Sequence, residues 1–104
     1  MSIEITDQNF NSLLQSNKIV VVTFGAQWCG PCQALAPVIE QLSQEYQGKA
    51  VVGKMDVDRS QATSQSFGIK NIPAVYFFKN GVKVDSMKGG MNKAMIAQKI
   101  NSLL

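Results

Sequence analysis

The sequence predicts an α/β fold in which helices cover both faces of a mixed β-sheet of about five strands. Segments with strand and helix patterns alternate along most of the chain, which is typical of parallel β-α-β units. Residues 19–24 are a continuous β-branched and aromatic run, as expected for a strand buried on both faces. Asn80-Gly81 separates two short apolar runs and predicts an antiparallel hairpin near the C-terminus.

The first half of the chain is predicted as strand, helix, strand and long helix. A strand at residues 2–5 leads to Thr6 and Asp7, which are candidate N-caps of a helix with a short apolar stripe: Phe10, Leu13 and Leu14. After the strand at residues 19–24, a long helix ends near Gly48 and carries a second stripe, formed by Leu35, Val38, Ile39, Leu42 and Tyr46. We expect Pro37 to kink this helix.

The second half completes the order β-α-β-α-β-α-β-β-α. A buried strand is predicted at residues 50–57 and a short helix at 60–67. The hairpin strands are predicted at residues 74–79 and 82–87. The last helix begins near Asn92 and has one apolar face, formed by Met91, Met95, Ile96, Ile100 and Leu103.

The composition suits one domain and excludes several classes of site. With 104 residues, 45% apolar and 16% charged, the chain is expected to form a single domain over residues 1–104. It contains no histidine, which excludes Ser-His-Asp and Cys-His catalysis and zinc sites of the Cys/His type. Its two cysteines are too few for a multiply bridged secreted scaffold.

The charges are unevenly distributed along the chain. Residues 1–47 carry four acidic side chains against one lysine, whereas residues 79–104 carry five lysines against one aspartate. These lysines are spread out with no aromatic residue among them, which predicts a solvated face and no nucleic-acid binding.

The uncharged run at residues 19–39 has the 21-residue length of a membrane span. Gly30-Pro31 and Pro37 would break a spanning helix, so a buried strand, a turn and a helix account for the run better. The N-terminus has neither the basic region nor the apolar region of a signal peptide. We therefore expect a cytoplasmic protein with no membrane partner.

Both cysteines lie in the tetrapeptide Cys29-Gly30-Pro31-Cys32, between a predicted strand and the long helix. The free N–H groups and the dipole at a helix N-terminus lower the pKa of a thiol. We expect Cys29 to experience this effect most and to be the more exposed, and Cys32 to be the more buried. Cys29 would attack a substrate disulfide as a thiolate, and Cys32 would then attack the resulting mixed disulfide.

Three other interpretations of the two cysteines remain open. A structural disulfide across one turn would constrain the unfolded chain very little. A zinc site would need about four ligands, which one CxxC could supply only with a second chain. The third alternative is that the two cysteines are merely buried side chains.

Residues 28–32, Trp-Cys-Gly-Pro-Cys, resemble the active-site motif of the thioredoxin family, and the strand before them is similar as well. Ile72-Pro73 resembles the family's cis-proline element, residues 77–81 its hairpin, and Gly89 a glycine ahead of its last helix. The resemblance covers essentially the whole chain. It implies a thioredoxin-like three-layer α/β/α fold with catalytic cysteines at Cys29 and Cys32.

The resemblance also implies how the protein works. It implies a protein-disulfide reductase that needs no cofactor beyond its own cysteine pair, holds no metal, and is recycled by a thioredoxin reductase. Protein disulfides would dock on a flat apolar surface formed by Trp28, Gly30, Pro31, Ile72, Pro73 and Gly89. The Gly-Pro dipeptide resembles the reducing branch, since oxidising relatives generally carry histidine before the second cysteine. We expect a monomer.

The sequence departs from the family where a buried Asp usually lies six residues before the first cysteine. Thr23 occupies that position and cannot ionise at neutral pH. Lys54 does match the family's lysine, so Thr23 and Lys54 are candidates for tuning the cysteine pKa values. Thr23 can also be a simple strand residue, and Lys54 a solvated one. Other departures lie around the site: Gly25 in place of Trp, and Gln33, Asn71 and Lys88.

These features predict a thiol–disulfide oxidoreductase of the thioredoxin class with an atypical resolving step. Two alternatives remain open. One is an electron donor dedicated to a single partner, and the other is a binding or assembly module on the same fold that does not use its cysteines.

Overall fold

The computed structural model describes residues 2–104, and the order of elements in that part is the predicted one. The strands are β1 (Ile3–Glu4), β2 (Ile19–Gly25), β3 (Val51–Asp56), β4 (Ala74–Lys79) and β5 (Val82–Lys88). The helices are α1 (Phe10–Ser16), α2 (Gly30–Glu45), α3 (Gln61–Ser66) and α4 (Lys93–Leu103).

The five strands form one mixed sheet in the order β1-β3-β2-β4-β5. The first three of these are parallel, whereas β4 runs antiparallel to β2 and β5 antiparallel to β4. Phe24, near the end of β2, lies opposite Ala74 at the start of β4, and Ala74 lies opposite Lys88 at the end of β5. The loops that follow β2, precede β4 and follow β5 therefore meet at one edge of the sheet.

β2 is the central strand, and residues 19–24 are buried throughout, as predicted. Its alternating side chains enter two apolar cores. One core lies under α2 and α4 and includes Val21, Ile39, Leu42, Phe77, Ile96 and Ile100. The other lies under α1 and α3 and includes Val22, Phe24, Phe10, Met55, Tyr76 and Phe78. The helices thus form a layer on each side of the sheet.

The hairpin has its predicted two-residue turn, and the last helix begins where it was predicted. Asn80 and Gly81 have φ angles of 53° and 82°, the positive values that a two-residue type I′ turn requires. The side chain of Asn92 accepts a hydrogen bond from the backbone N–H of Met95 at 2.9 Å, which caps α4. Met95 itself is 42% exposed, so its predicted place on the apolar face is wrong.

The start of α1 differs from the prediction. The helix begins at Phe10, and the hydrogen bonds before it run between Thr6 and Asn9, each accepting from the other's backbone N–H through its side chain. Asp7 instead caps α3, accepting from the backbone N–H groups of Thr63 at 2.9 Å and Ala62 at 3.2 Å. The cap belongs to a helix more than fifty residues away, which local spacing could not reveal.

The long helix α2 continues past Pro37 and ends at Glu45, slightly before the predicted end near Gly48. The uncharged run at residues 19–39 divides into β2, a short loop and the first part of α2, as predicted. Within residues 2–104, no helix is both long and apolar enough to cross a membrane.

Candidate active site

The candidate site lies at the sheet edge where the loops after β2, before β4 and after β5 meet. β2 ends at Gly25, and α2 begins five residues later at Gly30. The short connection holds the cysteine motif against the start of β4, because Phe24 pairs with Ala74. The register therefore brings together residues that are more than forty positions apart in sequence.

Cys29 is the N-cap residue of α2. Its backbone is extended, its Sγ accepts a hydrogen bond from the backbone N–H of Cys32 at 3.2 Å, and its carbonyl accepts one from Gln33 N–H at 3.1 Å. Pro31 lies in the first turn, where the missing N–H costs no intrahelical hydrogen bond. The Cys29 sulfur therefore occupies the position at which a helix N-terminus favours negative charge.

Cys29 and Cys32 form a disulfide within this turn. Their predicted order of exposure is wrong in this state, because Cys29 is only 6% exposed whereas Cys32 is half-buried. The physical reason is that Cys32 lines the cavity between α2 and the ends of β2 and β3, whereas Cys29 does not. A Cβ atom at Gly25 would lie 3.2 Å from both Cβ and Sγ of Cys32, so the glycine lets α2 pack closely against the end of β2.

Trp28 lies on the protein surface, with 71% of its surface exposed. Its indole Nε1 donates a hydrogen bond to the carboxylate of Asp58 at 2.8 Å. Asp58 follows β3 and is a site residue that sequence reasoning missed. The only signal in the sequence was an acidic residue just after a buried strand, and that signal is common.

The remaining residues of the predicted docking surface lie on neighbouring loops. The Ile72-Pro73 peptide bond is cis, and both side chains are half-buried immediately before β4. Gly89 is exposed just after β5 and has a φ of 52°, which favours glycine. Gly30 and Pro31 are exposed at the start of α2.

Thr23 and Lys54 lie opposite each other on β2 and β3. Thr23 is 6% exposed, and its hydroxyl oxygen has no hydrogen-bond partner within residues 2–104. Lys54 is exposed. A buried hydroxyl without a partner is uncommon, since most buried polar atoms are satisfied by protein or water.

A cavity of about 380 Å³ lies between α2 and the adjoining ends of β2 and β3. Its walls include Cys32, Gly25, Thr23 and Lys54, together with the acidic side chains of Glu4, Glu40 and Asp56. The structure therefore brings both tuning candidates to the same cavity as Cys32. Among residues 2–104, no group of three or more His, Cys, Asp or Glu side chains is arranged to hold a metal ion.

Comparison with known proteins agrees with this geometry. The family described as Thioredoxin matches residues 1–102. The chain belongs to the thioredoxin family.

Two relatives and one solved structure show how close the match is. The chain is 46% identical to Thioredoxin 2 of Chlorobaculum tepidum, over 94% of this chain and 91% of that protein. It is 48% identical to the thioredoxin of Chlorobaculum thiosulfatiphilum, over 94% and 92% respectively. The structure of a mutant thioredoxin from Halobacterium salinarum matches with a TM-score of 0.90 and 30% identity, covering 98% of this chain and 89% of that one.

Membership in the thioredoxin family and the paired cysteines establish the chemistry. The protein is a thiol–disulfide oxidoreductase that reduces disulfides by exchange with its own dithiol. The predicted fold and this predicted activity are therefore confirmed.

Proposed function

We propose that Cys29 is the attacking residue and Cys32 the resolving residue in this reduction. In the first step the Cys29 thiolate forms a bond to one sulfur of the substrate disulfide, and the other substrate sulfur leaves as a thiolate. Cys32, after losing its proton, then attacks the Cys29 sulfur. That step forms the Cys29–Cys32 disulfide and releases the second substrate sulfur as a thiolate.

The observation that supports this assignment is the hydrogen bond from Cys32 N–H to Cys29 Sγ at the N-cap of α2. A hydrogen bond donated to a sulfur favours its thiolate form, and the helix N-terminus acts in the same direction. Cys32 lies inside the helix and receives neither contribution to the same degree.

Trapping of the mixed disulfide tests the assignment. The Cys32→Ser variant, incubated with insulin as a protein disulfide, is expected to accumulate a covalent adduct through Cys29. The Cys29→Ser variant is the matched control, and it should accumulate far less adduct under the same conditions. Accumulation mainly on the Cys29→Ser variant, read by non-reducing gel and intact mass, would reverse the two roles.

We propose that the loops around Cys29 form the docking surface for protein disulfides. This surface comprises Trp28, Gly30, Pro31, Ile72, Pro73 and Gly89, and its support is the register that brings their loops to one sheet edge. Proline at position 73 has no N–H, which leaves the backbone of Ile72 available to pair with an extended substrate. Such backbone pairing suits many different protein substrates.

Thr23 and Lys54 are the proposed tuning residues of the cysteine pair. Both line the cavity that reaches Cys32. Thr23 offers a hydroxyl that has no hydrogen-bond partner among residues 2–104, and Lys54 offers a positive charge. The threonine hydroxyl cannot serve as a base at neutral pH, in contrast to the carboxylate that is usual at this position in the family.

The proposed cellular role is that of a cytoplasmic monomer, recycled by a thioredoxin reductase and using no bound cofactor or metal. One domain over residues 1–104 carries the whole activity. A standard thioredoxin reductase with NADPH and insulin should support turnover. Failure of that coupled assay, with normal reduction of insulin when dithiothreitol is supplied, would favour an electron donor dedicated to another partner.

A redox-independent assembly role makes the opposite prediction for the cysteines. The double variant Cys29→Ser/Cys32→Ser should lose all reductase activity and every cellular phenotype that depends on it. Retention of the phenotype by the double variant would favour the assembly role.

A further inference from the structure

Two lysines lie beside the docking surface, on the side of Ile72 and Pro73. Lys88 is the last residue of β5, and it pairs with Ala74, the residue directly after Pro73. Residues paired across two antiparallel strands have Cα atoms about 5 Å apart. Lys70 lies two positions before Ile72, in the loop that leads to β4. The fold therefore places both lysines next to the segment proposed to pair with substrate.

The protein does not neutralise the charges of these two lysines. Both are exposed, and within residues 2–104 neither ammonium group makes an ion pair or a hydrogen bond. Lysines of α4 differ in this respect, because Lys93 forms an ion pair with Glu45 and Lys99 forms one with Asp85. The two ammonium groups beside the docking surface are therefore available to a ligand.

The surface next to Lys88 is open. Gly89 and Gly90 follow this lysine, and an added Cβ at either glycine would meet nothing within 4 Å. The same holds for Gly30 at the start of α2. A substrate chain therefore has open space on the docking surface directly beside Lys88.

The charge around the docking surface is one-sided. Lys70 is the only charged residue at positions 67–73, so the flank before β4 is positive. On the opposite flank, the Asp58 carboxylate accepts the indole hydrogen bond of Trp28, and Arg59 follows it with the opposite charge. Charge of one sign beside a binding surface attracts ligands of the other sign.

We propose that Lys70 and Lys88 select protein disulfides whose cysteines are flanked by acidic side chains. As the substrate chain binds beside Ile72, a glutamate or aspartate near its cysteine pairs with one of these ammonium groups. The two lysines contact only the flanking carboxylates, and the exchange of sulfur bonds at Cys29 is unchanged. The inference rests on the proposed docking surface and adds a substrate class to it.

The test uses the reduced full chain and three peptides, each closed by one disulfide. The peptides differ only in the residues beside the cysteines, which are glutamate, glutamine or lysine. Each second-order rate constant is divided by that peptide's rate constant with dithiothreitol, which cancels the effect of the flanking charges on the disulfide itself. Acid quenching and liquid chromatography measure the reduced peptide.

The glutamate peptide is expected to exceed the lysine peptide by about tenfold in normalised rate at low salt, with the glutamine peptide between them. Exposed charges are screened strongly by salt. The difference should therefore fall below about threefold in ~1 M salt, where the Debye length is only about 3 Å.

Lys88→Gln should reduce the ratio of the glutamate rate to the lysine rate by about twofold or more, since it removes one of the two charges. The double variant Lys70→Gln/Lys88→Gln should lower that ratio below about threefold. The matched control is Lys18→Gln, the same change at an exposed residue just before β2, at the opposite end of the sheet. It should leave the ratio within the error of the wild-type value.

Equal normalised rates for the three peptides at low salt would overturn the proposal. So would equal losses from Lys18→Gln and Lys88→Gln, because the preference would then follow the net charge of the protein. Reduction of insulin and of the glutamine peptide by the dithiothreitol-charged wild-type protein tests the proposed function separately. Normal rates with these two substrates and no preference among the charged peptides would reject the charge selection alone.

Discussion

The backbone N–H of Cys32 donates a hydrogen bond to Sγ of Cys29 over 3.2 Å, so the side chain of Cys29 caps the first turn of α2. The second cysteine thus supplies the first with a hydrogen-bond donor as well as a disulfide partner. The Gly-Pro spacing sets this relationship, since it places the two cysteines at the N-cap and inside the first turn. The chemistry of the pair is therefore asymmetric.

We predict from this asymmetry that the pKa of Cys29 lies below that of Cys32. The rate of alkylation by iodoacetamide against pH gives each pKa, using Cys32→Ser to isolate Cys29 and Cys29→Ser to isolate Cys32. Helix N-termini lower thiol pKa values from about 8.5 into the range of about 3.5–7.5. A reversed order would remove the basis for treating Cys29 as the attacking residue.

Thr23→Asp is expected to accelerate resolution of the mixed disulfide near neutral pH. A carboxylate at this position can take the proton from Cys32, and general base catalysis contributes at most about 10²–10⁴-fold. Single-turnover reduction of a protein disulfide measures the effect. Thr23→Val is the matched control, because it keeps the shape without a proton acceptor and should be no faster than the wild-type protein. Equal rates for Thr23→Asp and wild type would contradict the hypothesis.

Asp7 makes folding stability depend on pH. Hydrogen bonds from the Thr63 side chain and backbone hold the pKa of the Asp7 carboxyl below its ordinary value of 3.8. A carboxyl with a lowered folded pKa contributes stability above its unfolded pKa, and that contribution is lost as the pH falls through the folded value. Asp7→Asn should therefore melt below wild type at pH 7.

The two melting temperatures should converge below about pH 4, as the wild-type carboxyl becomes protonated. Asp7→Ala also removes the hydrogen-bond acceptor, so it should melt below Asp7→Asn at every pH. Thermal unfolding followed by circular dichroism measures all three proteins. A constant difference between wild type and Asp7→Asn from pH 3 to pH 7 would exclude a role for the charge.

Gly53→Ala should destabilise the fold without touching the site. A Cβ at Gly53 would lie 2.5 Å from the backbone oxygen of Ile3 and 2.8 Å from the Ile5 side chain, so β1 must move. Overpacking of this kind costs about 1–3 kcal/mol. The control is Gly30→Ala, since an added Cβ meets nothing within 4 Å there. Urea unfolding should show a lower midpoint for Gly53→Ala only.

Several elements could be predicted because their signals are local. The Asn80-Gly81 turn, the start of the last helix near Asn92 and the buried run at residues 19–24 each depend on a few consecutive residues, and each has the predicted structure. The cap by Asp7 could not be predicted in the same way. The Asp7 carboxylate accepts a hydrogen bond from the backbone N–H of Thr63, which lies 56 positions further along the chain. The Trp28–Asp58 hydrogen bond escaped prediction for the same reason.

The sequence by itself determined the order of the elements, the motif at residues 28–32 and the class of chemistry. Each depends on residue type and spacing along the chain. Only the tertiary structure decided which cysteine is the more exposed, because the exposure of Cys32 depends on the cavity that α2 forms with β2 and β3. It likewise decided that Thr23, Lys54 and Cys32 share one cavity, since that requires β2, β3 and α2 to meet in space.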